Sequence, residues 1–162
     1  MAVYERSTTV DAPLEDVWAF HSTADGLVAL TPGWMNMRVE AIRGPGGEPD
    51  PGVLAAGAEI DASVRPFGVA PHQSWTSRIV ERERDGESAF FRDTMRDGPF
   101  RRWSHTHRFE AVEGGTRITD HVEYELGRPL GGVSGLARIG LEPMFAYRHW
   151  KTKAELARSG SS

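Results

Sequence analysis

A chain of 162 residues is the size of one domain, and 39% hydrophobic with 26% charged residues is the composition of a folded globular protein. The net charge is −4 and arginines are interleaved with acids, as in Glu81-Arg82-Glu83-Arg84-Asp85, so no basic stripe forms and nucleic-acid binding is not expected. The absence of cysteine excludes disulfides, thiolate catalysis and thiolate zinc sites.

The opening residues, MAVYERSTTVDAP, lack the basic and then apolar layout of a secretory signal. No apolar run approaches the roughly 20 residues of a spanning helix, so a cytoplasmic chain without stable membrane insertion is expected. Tyr4 to Val10, rich in Thr and Val, suits a first strand. Asp11-Ala12-Pro13 stops it and starts a short helix, with Glu15 and Asp16 near its positive end and Leu14, Val17 and Trp18 at helical spacing. Thr23 can cap a second short helix carrying Leu27, Val28 and Leu30, which stops at Thr31-Pro32.

Alternation then takes over. Met35, Met37, Val39 and Ala41 share one parity in a second strand, and a Gly/Pro-rich loop fills positions 44 to 52. Ala58, Ile60, Ala62 and Val64 alternate with polar residues in a third strand with one wet face. Trp75, Ser77 and Ile79 lie in a fourth, ending at Asp85-Gly86, and Phe91, Asp93 and Met95 in a fifth, ending at Asp97-Gly98-Pro99. A sixth strand runs from Phe100 to about Val112, turns at Glu113-Gly114, and returns as a seventh from Thr116 to Leu126. Pro129 to Gly132 opens a long helix whose apolar face is supplied by Leu136, Ile139, Leu141, Met144, Phe145, Tyr147 and Trp150. A kink or short break is expected just before Pro143, and residues 159–162 form a disordered tail. A meander of six strands cannot bury its face on itself, so the long helix must fill its concave side. The expectation is one α+β domain over residues 1–158: a seven-stranded curved antiparallel sheet around a C-terminal helix, with two short helices after the first strand.

The densest constellation is Trp103-x-His105-x-His107-x-Phe109, four residues of one parity and therefore on one face of a strand. Trp103 and Phe109 mark that face as the buried, concave one. Counting back from the Glu113-Gly114 turn puts Phe109 opposite Ile118, His107 opposite Asp120 and His105 opposite Val122. An acid buried among apolar residues needs a partner, and this register offers His107. Three readings of the group stand together. His107 and Asp120, with His105 beside them, form an acid–base pair. Alternatively, the polar residues only satisfy one another at the floor of a ligand cavity. Thirdly, His-x-His with a further carboxylate such as Asp93 binds a metal, although no metal or cofactor is expected to be required. Asp93 shares its parity with Phe91 and Met95 and lies near Trp103; it is either a polar ligand-binding residue of the cavity or a structural partner for Arg101 or an indole N–H.

Trp75, Phe91, Trp103 and Tyr124, with Leu141 to Phe145 of the long helix, are expected to wall the cavity. Arg148, beside the helix's apolar face, either reaches inward to an anionic ligand group or snorkels outward. His21, His72, His121 and His149 occupy polar or terminal settings. There is no G-x-S-x-G nucleophile motif, no H-E-x-x-H and no phosphate-cradling glycine loop. Wet alternation on the outer sheet face argues against a docking surface for a protein partner.

The stretch APLEDVWAFHSTADGLVALTP, then F-x-D, GPFRRWSHTHRF, GTRITDHVEY and RPLGG resembles the START-like, birch-pollen-allergen-like superfamily, in its polyketide cyclase/dehydrase-like branch. The resemblance covers nearly the whole chain, with the loop at positions 44–52 matching least. It implies the helix-grip fold and a pocket for a small apolar, aromatic or lipid-like ligand, and it transfers no catalytic residue. The first expectation is therefore a ligand-binding module, monomeric or homodimeric. The alternative is a cyclase or dehydratase working through His105, His107 and Asp120.

Overall fold

A computed structural model describes residues 2–49, 52–98, 100–126 and 138–160. The chain order is β1 (Ala2–Val10), α1 (Leu14–His21), α2 (Ala24–Ala29), β2 (Arg38–Arg43), β3 (Glu59–Val64), β4 (Gln73–Asp85), β5 (Ser88–Arg96), β6 (Phe100–Val112), β7 (Gly115–Leu126) and α3 (Arg138–Gly160). Single 3₁₀ turns at Gly33–Met35 and Pro66–Gly68 flank β2 and β3. Met35, expected in the second strand, lies in the first of these turns. Thr23 caps α2 as its position suggests, its hydroxyl accepting from the Gly26 N–H at 3.3 Å.

The seven strands form one antiparallel sheet in the order β1-β7-β6-β5-β4-β3-β2, so the first strand closes against the last. The β6–β7 turn fixes the register of the sheet's centre. Gly114 has φ 86°, and at Gly115, φ 146°, a Cβ would sit 2.0 Å from the Val10 carbonyl oxygen; only glycine fits there. From that turn His107 pairs with Asp120, His105 with Val122 and Phe109 with Ile118, as the count from the sequence gives. In β4 the alternation breaks. The register shifts between Ile79 and Glu81, so Arg82 comes to lie opposite Phe91 on the inner face. There its guanidinium covers the Trp18 ring at 4.4 Å and donates to the Ser22 hydroxyl.

The helix α3 runs through Pro143 with no break and continues over Ser159 and Gly160, the first two residues of the expected disordered tail. Its predicted opening at Pro129 to Gly132 lies outside the described residues. The buried stripe on α3 is Leu141, Phe145, His149, Thr152 and Leu156, at spacings of four and three; Trp150, counted on that face from the sequence, is 61% exposed. Two apolar clusters result. One gathers Leu14, Val17 and Trp18 of α1 with Ile79, Phe91, Phe109, Ile118 and Leu156. The other gathers Tyr4, Val122, Tyr124, Leu141 and Phe145. His149 of α3 and His105, His107 and Asp120 of the sheet are buried among them. Near its start α3 is tied to β1 by Glu142, which accepts from the Tyr4 hydroxyl and the Arg6 guanidinium.

Candidate functional site

Between the sheet, α3 and the α1–α2 segment lies a cavity of about 660 Å³. Its walls are mainly apolar. Trp75, Phe91, Trp103, Leu141 and Phe145 line it as the sequence suggests, and Arg148 also faces it. Tyr124 does not. It is 1% exposed and packs into the core against Phe100, so the expectation that it forms a wall is corrected. A ring packed behind the wall has the same strand parity as one on it, which is why alternation could not separate them.

The polar part of the wall is Asp93, His105 and His107, all lining the cavity, with Asp120 and His149 buried behind them. The directly opposed pair, His107 and Asp120, is not the hydrogen-bonded one. Asp120 accepts from His105 Nε2 at 2.7 Å through Oδ1 and from His149 Nε2 at 2.5 Å through Oδ2. His107 Nε2 instead bonds Asp93 Oδ2 at 2.7 Å, while its Nδ1 stands 3.4 Å from Asp120 with no hydrogen bond. The strand register was right and the assignment of partners was not, because two histidines on one face compete for two acids. Asp93 completes its shell with the Trp103 indole N–H at 3.2 Å, the indole partner expected for it.

Protonation follows from these contacts. Burial alone would raise both acids. The His107 hydrogen bond and the nearby His105 and His107 outweigh it at Asp93, and the His105 and His149 hydrogen bonds do so at Asp120, so both stay below the ordinary carboxylate range. Both acids are therefore carboxylates that only accept, and each facing Nε2 carries a proton. His107 is lowered to about 4, first by burial and then by the charge of His105 beside it. Its ring lies between Phe91, at 3.9 Å, and His105, at 3.5 Å centroid to centroid.

Asp93, His105 and His107 place one potential metal-ligand atom each within 4.8 Å of one another. Their ring geometry does not suit a metal as it stands. The two imidazole planes are only 31° apart and nearly face to face, whereas a metal needs both in-plane lone pairs to meet about 2 Å from each nitrogen. Binding a metal would require the two rings to turn relative to one another.

Two histidines join the site that sequence reasoning placed elsewhere. His149 lies four residues after Phe145 and eight after Leu141, so the helical period of the buried stripe signals it. His21 follows Val17 by four and Trp18 by three, on the buried face of α1, and it lines the cavity. Its Nδ1 donates to the Val17 carbonyl at 2.9 Å, which leaves Nε2 as an acceptor. His21 is lowered to about 3, chiefly by burial and further by the charge of Arg148. His121 points away from the cavity, as its parity requires, and bonds Glu5 at 2.7 Å.

A curved antiparallel sheet gripping a C-terminal helix, with a mainly apolar cavity between them, defines a helix-grip domain. The profile of the family described as "Polyketide cyclase / dehydrase and lipid transport" matches residues 10–146, and the chain belongs to that family. Solved structures share the fold. A protein from Chromobacterium violaceum superposes with a TM-score of 0.68 at 14% identity, over 95% of this chain and 96% of that one. One from Thermus thermophilus gives 0.62 at 21% identity over 99% and 100%. A START superfamily protein from Mycobacterium smegmatis gives 0.64 at 10% identity over 96% and 97%. No curated protein sequence matches the chain. Among the described residues no helix is long and apolar enough to cross a membrane.

Proposed function

We propose that this protein binds a small apolar or aromatic ligand in the cavity between sheet and α3. The observation that carries the reading is the cavity itself: about 660 Å³ walled by Trp75, Phe91, Met95, Trp103 and Phe145, a volume in the range of small-molecule pockets. Mass spectrometry of small molecules released from gently purified protein tests the reading directly. A filling variant tests it independently of the natural ligand. Ser77→Trp, on the cavity wall in β4, is expected to fold and to lose binding of the neutral probe N-phenyl-1-naphthylamine. Undiminished probe binding in that variant would place the probe, and the ligand site, elsewhere.

A second reading is favoured by one further observation, the cavity-lining histidines His107 and His105, paired with Asp93 on the wall and with Asp120 behind it. In it the domain is a cyclase- or dehydratase-like enzyme. His105 Nδ1 takes a proton from a carbon next to a ketone, and Asp120 steadies the imidazolium through Nε2–H. Asp120→Asn should then keep probe binding and abolish turnover of a poly-β-ketone substrate. Retained turnover would leave the pairs a structural role.

A further inference from the structure

Among the groups lining the cavity, Arg148 is the cation without an acid. Asp93 is bonded to His107 and the Trp103 indole, and Asp120 to His105 and His149. His105 and His107, whatever protons they hold, therefore already face carboxylates. His21, fixed by Val17 with Nδ1–H, offers a lone pair to the cavity and no positive charge. Arg148 is half-buried on α3 with its guanidinium 5.9 Å from the Phe145 ring, and no carboxylate lies within 4 Å of it among the described residues. A guanidinium on an apolar wall is stabilised when an anion meets it and its N–H donors are filled.

We propose that the ligand is an organic anion, a flat apolar body with one carboxylate, enolate or phenolate group seated on Arg148. A hydroxyl or N–H beside that group would donate to His21 Nε2. The inference rests on the ligand-binding reading above and adds the charge and polarity of the occupant.

Two fluorescent probes separate the ideas: 1-anilinonaphthalene-8-sulfonate, an anion, and N-phenyl-1-naphthylamine, the same ring system without the sulfonate. Mutual displacement establishes that they share one site. In the wild type the anionic probe is expected to bind more tightly as salt is lowered, and the neutral probe to be indifferent to salt. Arg148→Met should weaken the anionic probe at least tenfold and leave the neutral probe within twofold. Arg84→Gln, an exposed arginine in β4, controls for net charge and should change neither. Equal losses of both probes in Arg148→Met would make Arg148 a packing residue and overturn the proposal. So would an unchanged anionic probe, and in both cases the cavity reading would survive. Failure of both probes to bind the wild type would overturn the cavity reading and this proposal with it.

Discussion

Asp120 is the residue on which the polar wall depends, because one carboxylate serves histidines from two elements. His105 comes from the neighbouring strand β6 and His149 from α3. The sequence made its burial and its need of a partner legible: strand parity put it inward, and the glycine turn put His107 across from it. It could not show which imidazole would rotate toward it. Rotamer choice inside a shared face is decided by neighbours, here the Phe91 ring stacked on His107 and the Asp93 carboxylate that accepts from its Nε2–H. A double-mutant cycle reads this directly. Asp120→Asn with His105→Gln should show a coupling of roughly 1–3 kcal/mol in urea unfolding. Asp120→Asn with His107→Gln should show clearly less, and His107→Gln should couple to Asp93→Asn instead. A larger coupling for His107 with Asp120 would mean that the directly opposed pair is the bonded one.

At the level of elements, strands were more legible than the helix. Period-two alternation fails where the chain adds a residue, as at the β4 bulge that turns Arg82 inward, and where it overruns a strand's start, as at Met35 in a 3₁₀ turn. A helical stripe is harder to phase when amphipathic residues lie on both sides of it. Apolar character puts Trp150 on the inward face, while the buried positions include His149 and Thr152. Composition suggested a polar end to the helix; the four-residue step from Phe145 places a histidine inside. His149 thus fastens the middle of α3 to β7, as Glu142 fastens its beginning to β1. His149→Phe keeps a flat ring at the position and removes the bond, leaving one Asp120 oxygen unsatisfied. A loss of about 1–3 kcal/mol is expected, with faster amide exchange in α3 around residue 149. Glu142→Gln, at a more exposed position, should cost less. If His149→Phe proved as stable as the wild type, the contact would be dispensable for holding the helix.

For the whole molecule, the order of elements carried the architecture: one strand, two short helices and six strands admit few ways to cover the concave face other than the final helix. The cavity's volume was not legible, since a void is the small difference between two large surfaces and no single residue encodes it. What the assembled site does impose on the whole chain is a pH dependence. His107 is lowered to about 4 and His21 to about 3, against about 6.5 in an unfolded chain. Between pH 6.5 and 4 the unfolded state therefore binds protons that the native state does not, and stability falls as pH falls. The slope from His107 approaches about 1.4 kcal/mol per pH unit within that window, and half-buried His21 adds a smaller part of the same sign. Asp93 and Asp120 do not oppose it. Their pKa values are depressed, so their stabilisation is complete above about pH 4 and is lost only as pH falls through the native values. Urea unfolding at pH 7.5, 6.0 and 5.0 should show a steady decline with no plateau before pH 4. His107→Gln should be less stable at pH 7.5, because Asp93 loses its donor, yet decline less steeply between pH 6 and 5. A wild-type stability that stayed level or rose across this range would show that these histidines are already protonated in the folded protein.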